Sequence, residues 1–191
     1  MLLITFAHKA EAQAFINRKH NIPVEFYFPG IYRHEDEILL LTGSGIESAM
    51  NKSRQVIEYF GNKISSLLNM GISGALLDSL QINQIYGINR IYLENESEFF
   101  TTNNPRPQID CVSVDKAVTE NNRTRVLAKK AQTVDMELWG FAKIANEYKI
   151  PIRSYKLISD YAGDTTTTSE IKRNAAVYSR HLFDFYKKLP L

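Results

Sequence analysis

Compact apolar runs alternate with segments of helical spacing along this chain, and several of the runs end in small, polar or acidic residues. The first run, residues 2–7, is too short for a helix and contains β-branched residues, so it predicts a buried strand. Similar runs at residues 38–41, 64–70 and 152–158 predict three more strands. Strands that alternate with helices are typical of an α/β sheet with helices on both faces.

The rest of the chain supplies the predicted helices and the less regular segments. Residues 84–93 and 109–114 are further strand candidates, and the aromatic-rich residues 22–32 favour short strands with a turn. Residues 94–108 are polar and show no period, which predicts a surface loop. The predicted helices cover residues 10–18, 47–60 and 133–148, with a last helix from a capping box at residues 167–170 toward residue 186.

The composition fits a single folded domain spanning residues 1–191. Hydrophobic residues make up 44% and charged residues 23% of the chain, which excludes a disordered chain, a collagen-like repeat and a coiled-coil rod. The formal net charge of +2 gives no sign of a nucleic-acid partner. No apolar run is long enough to span a bilayer. We therefore expect neither a nucleic acid nor a membrane as partner.

Cysteine and histidine usage bears on cofactors and location. The chain has one cysteine, Cys111, so it has no internal disulfide. With no recognisable export signal at its start, a reducing cytoplasm is the expected location. The four histidines lack metal-ligand spacing, and no phosphate-binding or dinucleotide fingerprint is complete. We therefore expect neither a metal nor a cofactor.

Two glycine pairs follow predicted strands. Gly43 and Gly45 follow the second strand, and Gly71 and Gly74 follow the third. Ligands of α/β sheets bind beyond the carboxyl ends of the strands, and glycines there let backbone amides approach a ligand closely. Tight turns would use the same residues, so each pair by itself leaves both interpretations open.

Carboxylates near the strand ends supply the candidate chemistry. Asp135 and Glu137 flank Met136 at the start of an apolar helix, where they could favour the helix dipole or accept hydrogen bonds from a vicinal diol. Asp160 emerges from an almost wholly apolar strand. Burial would raise its pKa and suit it to general acid catalysis, whereas an exposed aspartate would cap the next turn. Glu11 follows the first strand and, taken alone, is typical of a solvated helix residue.

These motifs stand in a fixed order along the chain: Glu11, Thr42-Gly43-Ser44-Gly45-Ile46, Asn69-Met70-Gly71-Ile72-Ser73-Gly74, Val134-Asp135-Met136-Glu137 and Ile158-Ser159-Asp160. Together they resemble the nucleoside phosphorylase superfamily, and most of all its 5'-methylthioadenosine/S-adenosylhomocysteine nucleosidases and futalosine hydrolases. The most specific part is the spacing from the Met-Glu pair to the Ser-Asp pair. The resemblance covers most of the chain, except residues 94–108.

The resemblance implies a three-layer α/β/α fold with a mixed central sheet of the purine nucleoside phosphorylase type. It also implies hydrolysis of the N-glycosidic bond of a purine nucleoside. Asp160 would protonate the base, with Ser159 orienting it, and Glu11 would activate the attacking water. Glu137 would hold the ribose 2' and 3' hydroxyls, with Met136 packed on the sugar. The other pocket residues implied by the resemblance are Ser73, Gly74, Ala117, Val118 and Lys156.

Two other functions stay open. A phosphate-dependent purine nucleoside phosphorylase would use the same fold. However, the first segment lacks the Gly-Asp-Pro-x-Arg phosphate motif of family phosphorylases, and a carboxylate at Glu11 would repel phosphate. Lys156 stands where relatives carry arginine and could serve either an anion or Glu11. The second alternative is a non-catalytic nucleoside-binding protein, because Ala117 replaces an aromatic residue that packs on the base.

The missing aromatic residue leaves the base-stacking face to be found elsewhere. Tyr92, Phe99, Phe100 and Tyr161 are candidates for that face. Members of the family are usually dimers or larger, with a neighbour completing the pocket, so the resemblance implies a homodimer. The aromatic segments around Phe26 and Phe99 are candidate contacts, since aromatic residues are enriched in interface cores.

Overall fold

The computed structural model describes residues 1–26, 28–163 and 168–190, and it places their strands in one mixed sheet. The strand order is β10-β6-β8-β9-β5-β1-β4-β3-β2, with β7 on β6 and with β10 also paired to β5. The strands are β1 (Leu2–Phe6), β2 (Ile22–Pro23), β3 (Ile31–His34), β4 (Glu37–Leu41), β5 (Ser66–Ala75), β6 (Ile85–Leu93), β7 (Phe99–Thr101), β8 (Ile109–Ser113), β9 (Thr133–Asp135) and β10 (Ile152–Tyr161).

The centre of the sheet is parallel. Strand β1 runs parallel to both β4 and β5, and β10 runs parallel to β5. Strand β9 pairs with β5 in the antiparallel sense, as β6 does with β10. Because β1, β4, β5 and β10 share one direction, their carboxyl ends meet at the same edge of the sheet, where such folds bind ligands.

Helices cover both faces of this sheet and complete a three-layer α/β/α arrangement. They are α1 (Lys9–Ile16), α2 (Ile46–Phe60), α3 (Asn121–Leu127), α4 (Leu138–Glu147) and α5 (Thr168–Tyr186), with a 3₁₀ helix at Gly61–Lys63. Successive residues of a strand point to opposite faces. Thus Leu3 clusters with Val56 of α2, whereas Ile4 clusters with Phe15 of α1 and Leu182 of α5. The structure confirms the predicted fold class.

The helix predicted at residues 133–148 was wrong in its first part. Residues Thr133–Asp135 form β9, and α4 begins only at Leu138. Val134 pairs with Gly74 of β5 and with Val112 of β8, so strand pairing outweighs the helical spacing of its side chain. The break places Met136 and Glu137 in the connection between β9 and α4.

Two further segments also differ from the sequence expectation. The predicted loop at residues 94–108 contains β7, which pairs with β6 through Phe99, Phe100 and Thr101. Helix α3 was not predicted.

The start of the capping box at residue 167 lies outside the described residues. No helix in the described ranges is long and apolar enough to cross a membrane.

Candidate functional site

One cavity of about 630 Å³ opens where β1, β4, β5, β8, β9 and β10 end. Its lining combines segments that are more than one hundred residues apart in sequence. All ten residues expected to form the site line this single cavity: Glu11, Ser73, Gly74, Ala117, Val118, Met136, Glu137, Lys156, Ser159 and Asp160.

A β-bulge near the end of β10 sets the position of Asp160. Ile158 pairs with Ser73 of β5 and Asp160 pairs with Gly74, so Ser159 is an extra residue between them. Bulges of this kind redirect a side chain and are common beside active sites. Both Ser159 and Asp160 line the cavity as a result.

The Ser159 hydroxyl links Asp160 to the sheet. It lies in hydrogen-bond contact with Asp160 Oδ1 and at 3.3 Å from the Ser73 carbonyl oxygen. Burial raises the pKa of Asp160, and the contact with Ser159 lowers it by a smaller amount. The Ser159 hydroxyl donates to Asp160 Oδ1, and because burial outweighs this contact the protonated carboxyl is more favoured than in a free aspartate.

Glu11 is buried, with 5% of its surface exposed, although it follows the first strand by only a few residues. Its Oε2 accepts a hydrogen bond from the Ile72 backbone N–H at 3.4 Å. The pKa of Glu11 is raised to about 8, and burial is the largest cause of the rise. Lys156 acts to lower this pKa and Glu137 acts to raise it. The solvated-helix interpretation of this residue was therefore wrong.

Space for the Glu11 carboxylate comes from a glycine on β5. A Cβ on Gly71 would lie 2.8 Å from Glu11 Oε2 and 3.8 Å from Lys156 Nζ. The first distance is shorter than real Cβ contacts allow. Gly71 therefore leaves room for the Glu11 carboxylate next to β5, and the Lys156 ammonium lies close to the same point.

Glu137 points toward the glycine motif that follows β4. Its Oε1 accepts a hydrogen bond from the Gly45 backbone N–H at 2.9 Å, and only 8% of the residue is exposed. Burial raises the pKa of Glu137 to about 7, with a further raising effect from Asp135 and a lowering one from Lys156. Carboxylates with strongly raised pKa values in one cavity indicate a functional site.

Lys156 forms a buried ion pair with Asp135. The Nζ–Oδ2 distance is 2.8 Å, and the two side chains are 3% and 2% exposed. Burial is the largest single effect and lowers the pKa of Lys156, but Asp135, Cys111 and Glu137 together outweigh it, so the pKa of Lys156 is raised. Asp135 also accepts hydrogen bonds from Ser113 Oγ at 2.6 Å and from the Leu138 N–H at 3.0 Å.

This pairing assigns Asp135 a place that the sequence did not indicate. The two partners are far apart in sequence and meet only because β9 and β10 both pair with β5. A basic residue buried on an apolar strand needs a counter-charge, and that requirement was the one available signal. It identifies neither the partner nor its distance.

Ala117 and Val118 form part of the wall near Asp160. They lie between β8 and α3, and the Val118 carbonyl oxygen accepts a hydrogen bond from Gly163 N–H at 3.0 Å. Thr124 Oγ1 donates to the Ala162 carbonyl oxygen at 3.1 Å. These contacts join the end of β10 to α3 and close this side of the cavity.

The four aromatic residues considered for base stacking lie elsewhere, so that expectation was wrong. Tyr92 packs against Phe99, and Phe100 packs against Trp139 with ring centroids 4.5 Å apart. The Tyr161 hydroxyl donates to the Leu80 carbonyl oxygen. Phe100, Tyr161 and Tyr92 pack against hydrophobic core clusters, whereas Phe99 is exposed.

Other residues that line the cavity were not among the site residues predicted from the sequence. Among the described residues, Phe141 of α4 contributes an aromatic ring to the lining of the cavity. His8, Lys9 and Ser44 lie at the side of the cavity formed by the ends of β1 and β4. His8 Nε2 is 3.0 Å from Ser44 Oγ. Within the described ranges, no group of three or more His, Cys, Asp or Glu side chains is arranged to hold a metal ion.

Comparison with solved structures identifies the same fold in proteins from Helicobacter pylori. A futalosine hydrolase mutant matches with a TM-score of 0.87 and 15% identity, over 97% of this chain and 96% of that chain. A mutant 5'-methylthioadenosine/S-adenosylhomocysteine nucleosidase (MTAN) with 5'-methylthioadenosine in its active site matches with a TM-score of 0.83 and 16% identity, over 97% of this chain and 96% of that chain.

A third structure is 5'-methylthioadenosine/S-adenosylhomocysteine nucleosidase with butyl-thio-DADMe-Immucillin-A, with a TM-score of 0.82 and 18% identity, over 97% and 95%. The sequence matches no family model and no curated protein. At these identities the structures establish a shared fold. These structures are of a nucleosidase and a futalosine hydrolase, the two kinds of protein named in the sequence resemblance, and they confirm the fold that the resemblance implied.

Proposed function

We propose that this protein hydrolyses the N-glycosidic bond of a purine nucleoside of the methylthioadenosine, S-adenosylhomocysteine or futalosine type. The observation that carries the proposal is the convergence of Glu11, Glu137 and Asp160 on one cavity. Structures with the same fold are those of nucleosidases and a futalosine hydrolase. Hydrolysis needs a general acid beside the purine, a polar group beside the sugar and a general base that accepts a proton from the attacking water.

Asp160 acts on the leaving group. When the bond between ribose C1' and purine N9 breaks, its electron pair moves onto the purine. A proton from Asp160 to purine N7 neutralises that charge. The raised pKa of Asp160 supports this role because it favours the protonated carboxyl. Ser159 orients the carboxyl through its hydroxyl contact.

Glu137 and Met136 act on the sugar. The Glu137 carboxylate accepts hydrogen bonds from the ribose 2' and 3' hydroxyls, and its Oε1 is already oriented by the Gly45 N–H. The Met136 thioether packs on the sugar face. Ionised carboxylates nearby stabilise the positive charge that develops on the ribose as the bond breaks.

Glu11 acts on the water. Water adds to C1' and gives a proton to ionised Glu11, so the products are a free purine and a ribose with a hydroxyl at C1'. The proton that Glu11 gains replaces the one that Asp160 loses, once exchange with solvent resets both groups. Lys156 supports the ionised form because it lowers the pKa of Glu11.

The cavity favours water over phosphate as the nucleophile. A phosphate dianion would meet the buried Glu11 and Glu137, and no arginine lies among the described residues that line the cavity. The ammonium of Lys156 is already paired with Asp135. A purely binding protein would not need to bury several carboxyls, since burial of a charged group costs free energy.

The test is base release from a panel of nucleosides, with and without phosphate. The panel contains methylthioadenosine, S-adenosylhomocysteine, futalosine, inosine and adenosine. We expect release that does not depend on phosphate. Strict dependence on phosphate would identify a phosphorylase, and tight binding without release would identify a binding protein.

Substitution Asp160→Asn tests the acid directly. We expect turnover to fall about 100-fold or more while nucleoside binding survives, because general acid catalysis contributes about 100-fold or more. The matched control is Asp78→Asn, since Asp78 is exposed and outside the cavity. Unchanged turnover in Asp160→Asn would remove its assigned role.

We also propose that the protein is a cytoplasmic homodimer. Exposed aromatic surface supports a contact between copies: Tyr59 is 60% exposed beside Phe26, and Phe99 is 45% exposed. Light scattering after size-exclusion chromatography measures the mass in solution. A monomer at every concentration tested would contradict the dimer.

A further inference from the structure

The cavity has one cationic end. His8 and Lys9 follow β1, Ser44 follows β4, and all three residues line the cavity. His8 and Lys9 are exposed residues, and the His8 ring contacts Ser44 Oγ at 3.0 Å. Most of the remaining lining is small or apolar, and its charged members are the four carboxyls of Glu11, Asp135, Glu137 and Asp160 and the Lys156 ammonium, which is paired with Asp135. The rim at His8 and Lys9 therefore differs in charge from the interior.

The position of this end relative to the sugar follows from the Gly45 contact. Ser44 adjoins Gly45, whose N–H holds Glu137 Oε1. Asp160 lies on the other side, next to the Ala162–Gly163 turn that contacts α3. The sugar at Glu137 therefore separates the base at Asp160 from the cationic end.

We propose that the cationic end formed by His8, Lys9 and Ser44 binds a negatively charged group on the 5' substituent of the nucleoside. The inference rests on the proposed function, because it uses the placement of base and ribose given there. In a ribose, C4' lies across the ring oxygen from C1', so a 5' arm extends away from the base. We place the 5' arm at the end formed by His8 and Ser44 because Ser44 adjoins Gly45, which contacts Glu137.

Charge selects where such an anion can sit. Glu11 and Glu137 repel a negative group in the interior of the cavity whenever they are ionised, whereas the Lys9 ammonium can donate a charge-assisted hydrogen bond at its rim. The His8 ring can donate a further hydrogen bond there. Ser44 Oγ adds a neutral donor. A carboxylate at the far end of a 5' arm satisfies both conditions, whereas a short methylthio group carries no charge for the Lys9 ammonium to bind.

Two nucleosides that differ only in charge provide the test. They are 5'-deoxy-5'-(3-carboxypropylthio)adenosine and its neutral carboxamide. Calorimetry measures binding of each to the full chain, and base release is recorded separately. We expect the carboxylate to bind about tenfold more tightly than the carboxamide, because hydrogen bonds to charged groups are among the stronger ones. Added salt should reduce that preference.

Variants locate the effect. The double substitution His8→Gln with Lys9→Gln should reduce the preference to about one, and Lys19→Gln should leave it intact because Lys19 is exposed and outside the cavity. Equal binding of the two nucleosides to the unmodified protein, or no binding of either, would overturn the proposal. So would a preference that survives the double substitution.

The readouts separate this inference from the proposed function. Selective binding of the carboxylate without base release would support the cationic end and refute hydrolysis. Base release from both nucleosides at equal affinity would do the reverse. If release required phosphate, and the double variant no longer responded to phosphate, His8 and Lys9 would serve the nucleophile and the proposal would be overturned.

Discussion

Replacing Glu11 by glutamine should remove activity and, at alkaline pH, stabilise the protein. The glutamine side chain has nearly the same shape as Glu11 but carries no charge. Glu11 is buried and its pKa is raised, chiefly by that burial. The folded protein therefore holds a proton on Glu11 over a pH range in which the unfolded chain has released it.

The sign follows from this difference in bound protons. The Glu11 contribution to stability is fully present below the ordinary pKa of 4.5, falls as pH rises, and is lost above the folded pKa of about 8. At about 1.4 kcal/mol per pKa unit, the difference between the two pKa values corresponds to about 5 kcal/mol in the free energy of unfolding. Water entry into the cavity reduces this, and we expect at least about 2 kcal/mol.

Denaturant unfolding at a series of pH values from about 5 to about 9 measures the effect. The Glu11→Gln variant should match the unmodified protein near pH 5 and exceed it near pH 9. The free energy of unfolding of the variant should still decline somewhat as pH rises, because Glu137 also has a raised pKa, of about 7. The control is Glu98→Gln, since Glu98 is exposed and lies outside the cavity.

Two results would refute the reasoning. If Glu11→Gln and the unmodified protein showed the same pH dependence of unfolding, the carboxyl of Glu11 would not be buried as described. If Glu11→Gln were stabilised but kept full turnover, the burial would be right and the role in water activation wrong. The experiment therefore separates the geometry from the chemistry.

The other predictions concern the surroundings of Glu11. A Gly71→Ala substitution places a methyl group 2.8 Å from Glu11 Oε2, so turnover should fall about 100-fold while circular dichroism shows a folded protein; full turnover would show that the carboxylate is not held there. Lys156→Gln should raise the pKa of Glu11 and move the acidic limb of the pH–rate profile to higher pH, because Lys156 lowers that pKa. Asp135→Asn should move the same limb to lower pH, because Asp135 raises it, and shifts of the same sign in both variants would contradict the electrostatic account.

The edge of the sheet that carries the site was predictable because it depends on strand direction. Parallel strands place their carboxyl ends together, so Glu11 and Asp160 could be expected at one edge before any coordinates. Their burial was a different matter. Glu11 lies on the short helix α1, where it is typical of a solvated residue, and its carboxyl is instead buried beside Gly71 and Ile72 of β5 and near Lys156 of β10.

Contacts between distant segments were beyond the sequence. The Lys156–Asp135 pair depends on the register of β9 and β10 on β5, and a shift of one residue turns a side chain to the other face of a sheet. The bulge at Ser159 is a local irregularity of that same register. Strand β9 was mistaken for helix because its three residues, Thr133–Asp135, are too few to distinguish the period of a strand from that of a helix.

The central claim is that buried carboxyls in one cavity direct water to a ribose carbon. Base release in phosphate-free water enriched in the heavy oxygen isotope tests it, with mass spectrometry of the sugar product. The account predicts one heavy oxygen on C1' of every ribose released by the unmodified protein, and almost none formed by Glu11→Gln in the same time. Release of base without heavy oxygen on the sugar, or release that Glu11→Gln leaves unchanged, would contradict it.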